Sequence, residues 1–250
     1  CYSRPRRGAL PHVKVAVVIP AYDAARSVAA VIEGIRAAFP PETKIFVVDD
    51  GSRDGTGEVA RAAGATVLVH AGNRGKGVAL RTGLRAAADA GFDAAVSVDA
   101  DGQHPADEAW RIASEVADRR AYVLGVRDLV AAGAPRANRI SNAISNGFLS
   151  AFARKLLRDT QCGLRRYPLP DALEIGGRDR GYAFEAEMIL LAIAAKIPVV
   201  EVPVRVLYPP DRTTHFHSVR DPARVVRRVV RTLVVTRGIT RAAPARKRRP

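Results

Sequence analysis

The sequence predicts an α/β fold: a mostly parallel sheet with helices on both faces. Three observations carry this. Between Val13 and Val126, short β-branched runs alternate with helical patterns about every 20 to 30 residues, as consecutive strand–helix units require. The runs are continuously apolar rather than alternating, which marks strands buried on both faces. Several of them end in aspartate and glycine, the residue types of loops at the carboxyl edge of such a sheet.

Residues Cys1 to His12 carry four basic side chains, His12 included, with two prolines, and read as a flexible lead-in over 1–12. Val13 to Ile19 is the first strand, ended by Pro20, and Asp23 to Ala38 is a helix with Val28, Val31, Ile32 and Ile35 at helical spacing. Lys44 to Val48 is the second strand, Thr56 to Ala63 a helix and Thr66 to Val69 the third strand. The loop Gly72-Asn73-Arg74-Gly75-Lys76-Gly77 opens a helix over Val78 to Ala90. Ala94 to Val98 is the fourth strand, Asp107 to Arg119 a helix and Tyr122 to Val126 the fifth strand.

The second half is less regular. Asn138 to Leu157 is a long helix with Ile140, Ile144, Phe148 and Phe152 on one face. A polar run from Asp159 to Tyr167 precedes a strand, and a helix over Phe184 to Ala195 carries Glu185 and Glu187. Val199 to Tyr208 alternates as a half-exposed strand, and a polar loop with His215 and His217 follows. The main domain is expected over 13–220, then a basic amphipathic helix over 221–238 and a disordered basic tail over 239–250. That helix sets Val225, Val229 and Leu233 against Arg224, Arg227 and Arg231, and lies either on an anionic membrane or around the domain.

The 250 residues suffice for one large core. Of the formal net charge of +15, positions 201–250 hold 13 Lys and Arg against 3 Asp and Glu, so partners of that end are expected to be anionic. Cys1 and Cys162 are too few for a disulfide framework, and Cys162 reads as a packing residue. No apolar run approaches the roughly 20 residues that span a bilayer. The expected location is cytoplasmic, either free or peripheral to the inner face of the membrane.

The residues around Asp99-Ala100-Asp101-Gly102-Gln103 carry the most chemistry. Two carboxylates one residue apart at a strand end are a seat for a hard divalent cation, Mg or Mn, and hence for a diphosphate; Gln103 offers a further oxygen. Asp49 and Asp50, at another strand end, either accept hydrogen bonds from a ribose or base, or cap the helix that follows. The Gly72 to Gly77 loop reads as an anion seat with Lys76 at hand. It departs from the P-loop pattern, with His70 at the first glycine position and Gly77 after the lysine, and it lacks GxGxxG, which disfavours an ATPase or a nicotinamide dehydrogenase.

Four segments in order, Val18-Ile19-Pro20-Ala21-Tyr22-Asp23, Val47-Val48-Asp49-Asp50-Gly51-Ser52 with Asp54-Gly55-Thr56, Asn73-Arg74-Gly75-Lys76-Gly77 and Asp99-Ala100-Asp101-Gly102-Gln103-His104-Pro105, resemble the inverting family 2 glycosyltransferases. The branch most similar is that of dolichol-phosphate mannosyltransferase and its bacterial polyprenyl-phosphate relatives. The resemblance implies a GT-A fold, a GDP- or UDP-linked sugar donor, a Mg or Mn ion and a polyprenyl phosphate acceptor. It places Pro20, Ala21, Tyr22, Asp23, Asp49, Asp50, Lys76, Asp99 and Ala100 along the nucleotide, and Asp99, Asp101 and Gln103 at the metal and diphosphate. Arg127, in Gly125-Val126-Arg127, is implied to contact phosphate, and Asp159 to stand on the acceptor side. Asp23 stands where the family has Glu, Val126 where it has Ser, and Thr213-Thr214-His215-Phe216 where it has a Ser-Lys element.

The acceptor decides the chemistry. A lipid phosphate is already anionic and needs positioning and charge neutralisation, the work expected of Asp101 and Arg127. A hydroxyl acceptor needs a carboxylate base, with Asp159, Glu185 and Glu187 as candidates. The rivals are a nucleotidyl transferase of the same fold and a non-enzymatic polyanion binder using the basic end. Nucleic acid is not expected, because no pattern of stacking aromatics accompanies the arginines.

Overall fold

The computed structural model describes residues 13–207; the loop of His215 and His217, the amphipathic segment from Asp221 and both termini lie outside the described residues. The elements in chain order are β1 (Val15–Ala21), α1 (Val28–Ala38), β2 (Ile45–Asp49), α2 (Thr56–Ala62), β3 (Thr66–Val69), α3 (Lys76–Asp89), β4 (Ala94–Ser97) and α4 (Ala106–Ser114). There follow β5 (Tyr122–Arg127), α5 (Arg136–Ala153), β6 (Arg165–Pro168), α6 (Leu169–Ile175), α7 (Ala183–Ala194) and β7 (Val199–Val204). The seven strands form one sheet in the order β3-β2-β1-β4-β6-β5-β7, parallel except for β6, which runs antiparallel to both neighbours.

The apolar runs of the inner strands β1, β2 and β4 fold as the sequence predicts because each is covered twice. Ala16 and Val18 of β1 pack with α3 and α7 residues such as Leu80, Leu84 and Ile189 on one face of the sheet. Val17 and Ile19 pack with Val28, Ile32, Ile35 and Ile112 of α1 and α4 on the other. With period-2 alternation and no solvent face, every position along such a strand must be apolar.

Among the boundaries that differ from the sequence reading, α5 runs Arg136–Ala153 rather than 138–157 and β7 stops at Val204, and three others have a visible cause. β1 runs through Pro20 to Ala21. Val17 and Ala21 bond to the β2 side and Val18 to the β4 side, while pairing with β4 stops at Val18–Ser97. The ladder therefore asks for no N–H at position 20, and proline is tolerated there. α1 begins at Val28 rather than Asp23, because Asp23 is left-handed, at φ 48°, and residues 23–25 are sewn to the loop after β2. Ser52 Oγ, Thr56 Oγ1 and Asp54 Oδ2 accept the backbone N–H groups of Asp23, Ala24 and Ala25 at 3.0, 2.8 and 2.9 Å. α4 stops at Ser114, where Arg166 of β6 donates to the carbonyls of Ala113, Val116 and Asp118 and so satisfies a helix end.

The sheet places the site. Strand order reverses between β1 and β4, so the loops after β1, β2 and β4 open side by side at one edge. β6 runs the other way, so the segment leading into it, Asp159 to Leu164, reaches that same edge: Ser97 pairs with Arg165, and Ser97 Oγ donates to the Gly163 carbonyl at 2.6 Å.

Candidate active site

The centre of this edge is a charge cluster around Asp99. Lys76, the first residue of α3, sets its Nζ 2.7 Å from Asp99 and 3.2 Å from Glu185 on the first turn of α7, with the Tyr182 ring beside it. Burial works against charge on Asp99, but Lys76 and more distant cations hold its carboxyl below the ordinary range. Asp101 is in the opposite state. Burial, then repulsion from Asp99, pushes it up to about 6, although it accepts the Gln103 N–H at 2.9 Å. His104, buried and pushed down to about 4 chiefly by that burial, is neutral at pH 7, and its Nδ1 has no hydrogen-bond partner. Gly163 closes the cluster: a Cβ there would stand 2.3 Å from an Asp99 oxygen, so only glycine lets the β6 loop pass.

This donor set suits a hard cation. Two carboxylates that repel each other, with a glutamine oxygen two residues on, are relieved by a divalent ion with oxygen affinity. Among the described residues no three His, Cys, Asp and Glu side chains converge to hold a metal alone, so the ligand's phosphate oxygens and water would complete the shell.

Around this centre, several residues read as ligand contacts are committed to the protein itself. Asp50 is buried and accepts from His70 Nδ1 at 2.6 Å, from the Arg74 N–H at 3.0 Å and from the Gly75 N–H at 2.7 Å. The glycine loop expected to seat a ligand anion therefore seats the carboxylate of Asp50, and its Gly77 N–H goes to the Arg180 carbonyl at 3.0 Å. That corrects the reading of the loop as an open anion seat: its glycines serve close packing, since a Cβ on Gly75 or Gly77 would collide with the backbone of 179–180. Asp49, also buried, accepts the Ser52 N–H at 2.9 Å and shapes the turn. Asp23 accepts the Arg53 N–H at 3.0 Å. Pro20 and Ala21 lie at the buried end of β1, with half-buried Tyr22 next in the chain. Ala100 accepts from Ser27 Oγ at 2.6 Å.

On the β6-β5-β7 side, where an acceptor was expected, Arg127 at the end of β5 holds Asp159 in a two-pronged ion pair at 2.7 and 3.0 Å. Asp159 is fully buried. Burial opposes its charge, yet Arg127 holds the carboxyl below the ordinary range. Glu187 accepts the N–H groups of Arg178 and Asp179 at 2.8 and 2.7 Å. Neither carboxylate is placed to take a proton from a ligand; Glu185, on Lys76, faces the cluster.

Sequence reasoning missed Arg165. It is fully buried and donates to the carbonyls of Thr160, Cys162 and Glu185 and to the Tyr122 hydroxyl at 2.7 to 3.1 Å. One guanidinium thus ties the β6 entry loop to the first turn of α7, fixing Gly163 and Glu185 about the cluster. The only signal was charge inside a strand-length run. Cys162 is buried, with its thiol pushed up to about 12 by that burial, as a packing residue should be.

The comparisons agree with this geometry. Residues 16–168 match Glycosyl transferase family 2. The chain is 29% identical over 211 residues to Glycosyltransferase AglJ of Haloferax volcanii, covering 83% of this chain and 68% of that protein. It is 29% identical over 207 residues to polyprenol monophosphomannose synthase of Mycolicibacterium smegmatis, covering 78% and 77%. Its fold matches a crystal structure of glucosyl-3-phosphoglycerate synthase from Mycobacterium tuberculosis, solved with Mn2+, UDP and glucosyl-3-phosphoglycerate, with a TM-score of 0.69 at 20% identity over 95% of this chain and 87% of that one. The expected mostly parallel α/β fold of GT-A type is therefore observed, and the chain belongs to glycosyl transferase family 2.

Proposed function

We propose that this glycosyltransferase moves a hexose of mannose or glucose type, with inversion, from a GDP- or UDP-linked donor to a polyprenyl phosphate, with Mg or Mn as cofactor. The observation that carries the acceptor is the state of the candidate bases. Asp159 is locked by Arg127 and Glu187 by two backbone N–H groups, which leaves Glu185, ion-paired with Lys76 at 3.2 Å, as the one candidate facing the cluster. A phosphate nucleophile needs no base; a hydroxyl would.

In this reading Asp99, Asp101 and Gln103 hold the ion, which would act as a Lewis acid on the donor diphosphate. Lys76 and Arg127 add fixed positive charge where the leaving diphosphate gathers negative charge. Tyr22 and Asp23 border the nucleotide at the end of β1. Asp49 and Asp50 act one step back, by shaping the turn and the glycine loop. Support for the acceptor class comes also from the mycobacterial polyprenol monophosphomannose synthase.

Calorimetric titration of GDP and UDP, in Mn2+ and in EDTA, is the test of donor and metal. One nucleotide should bind in Mn2+ and at least tenfold more weakly in EDTA; no binding of either nucleotide with metal present overturns the reading. Turnover with a polyprenyl phosphate, and none with a hydroxyl acceptor, tests the acceptor. The reverse result would assign Glu185 as base.

A further inference from the structure

A second pocket opens away from the Asp99 cluster, between α3 and the chain that ends α6. Gly176, left-handed at φ 53°, stops α6, and Gly177 lays the chain against Phe184, where a Cβ would stand 2.7 Å from a ring carbon. Two glycines in a row leave no side chain to fill the space beside α3. What remains is a cavity of about 380 Å³, within the range of small-molecule sites. Its α3 residues Arg81 and Arg85 lie roughly 8 and 14 Å along the helix from Lys76, at 1.5 Å of rise per residue.

The pocket is apolar inside and cationic outside. Buried Leu84 and Phe184 and half-buried Leu173 line it together with Arg81, Arg85 and Arg178, and no acidic side chain does. Arg81 is held in place: its Nη1 donates to the carbonyls of Gly177 and Asp179 at 3.2 and 2.6 Å, and its guanidinium lies 5.5 Å from the centroid of the Phe184 ring. Arg85 and Arg178 are exposed, and among the described residues neither side chain has an ion pair or a hydrogen bond. Acids near in sequence are engaged elsewhere, Asp171 with Arg120 at 3.0 Å and Asp179 Oδ1 with the Gly181 N–H at 2.7 Å. Arg81 and Arg85 stand four apart on one helix, an arrangement of like charges that weakens a helix unless an anion answers it.

We propose that this pocket binds a small phosphate monoester of an apolar group, with its dianionic head at Arg85 and Arg178 and its body on Leu84, Leu173 and Phe184. Guanidinium forks match phosphate oxygens, and a single carboxylate would leave one of the two exposed cations unanswered. The basic end of the chain, over 221–250, has the wrong charge to fill the pocket itself. The inference rests on the α3–α6 flank and not on the donor or acceptor chemistry of the cluster.

The test is calorimetric titration of the full chain in EDTA with 1-naphthyl phosphate, octyl phosphate, inorganic phosphate and 1-naphthol. At least one ester should bind tenfold or more tightly than either inorganic phosphate or naphthol, and the tighter of the two esters distinguishes an aromatic source from a lipid one. Arg85→Gln with Arg178→Gln changes two exposed side chains and should leave the melting temperature unchanged, while lowering ester affinity at least tenfold. Saturating GDP or UDP in Mn2+ should leave ester binding in place. Three results overturn the proposal: no ester binding at millimolar concentration, undiminished binding by the double variant, or displacement by a nucleotide, which would put the probe at the Asp99 cluster. A chain that binds an ester but neither GDP nor UDP refutes the proposed function alone.

Discussion

The two sides of the sheet reach the same edge by opposite means. On the β3-β2-β1-β4 side, parallel strands made of apolar residues deliver their acids directly, and short polar side chains, Ser52, Asp54 and Thr56, sew the loops together. On the β6-β5-β7 side the central strand is reversed, so the site receives what precedes it, and the strand's own side chains include two buried arginines. Irregular chain needs partners for its carbonyls, and there the guanidinium groups of Arg165 and Arg166 supply them. The β3-β2-β1-β4 side is thus built mainly by backbone ladders and turns, and the β6-β5-β7 side by buried cations.

The largest effect should fall where the two sides meet. Asp99→Asn removes the carboxylate that Lys76 and the proposed ion share, and turnover should drop at least ~100-fold with the circular dichroism spectrum retained. Activity within tenfold of wild type would return the stretch to being a turn. The next effect should be structural and confined to the β6-β5-β7 side. Arg165→Met keeps the volume but strands three carbonyls and a hydroxyl, which should cost about 3 kcal/mol in denaturant unfolding. Loss under 1 kcal/mol would mean that the entry loop holds itself, and the contrast between the two sides would fail.

This division also explains what was legible. The parallel strands and the order of the acid-bearing loops follow from apolar runs, because burial on both faces leaves no other composition. The position of the Asp99 and Asp101 pair followed from the same rule. β6 was legible only as polar sequence near a strand, since Arg165 and Arg166 mimic a surface segment until the carbonyls they reach on α7 and at the end of α4 are known. α6 was missed because a seven-residue helix beginning at Leu169-Pro170 has too few turns to show a period. The role of Asp50 was hidden for another reason. Its partners His70, Arg74 and Gly75 lie 20 to 25 residues away, and only the β2–β3 pairing brings them under it. The apolar face of α5 was visible as a pattern, but which way it pointed was decided by the polar loop it packs on, where Ser141 and Ser145 meet Gln161 and Thr160.

The smallest effect expected concerns Asp101 and is a matter of pH. In the metal-free protein its pKa stands at about 6 against an ordinary 3.8, because burial and then Asp99 disfavour its charge. An acid whose folded pKa is raised contributes stability that is fully present below 3.8 and lost as pH rises through about 6. Asp101→Asn cannot titrate, so in EDTA it should match wild type below pH 4, gain on it between pH 4 and 6, and stay ahead of it above that. Saturating Mn2+ at pH 8 should reverse the order, because only wild type keeps both carboxylates for the ion. Thermal melts across pH, with and without metal, read both effects. A gap that stays flat with pH would show that Asp99 and Asp101 do not repel, and the physical case for a cation between them would go with it.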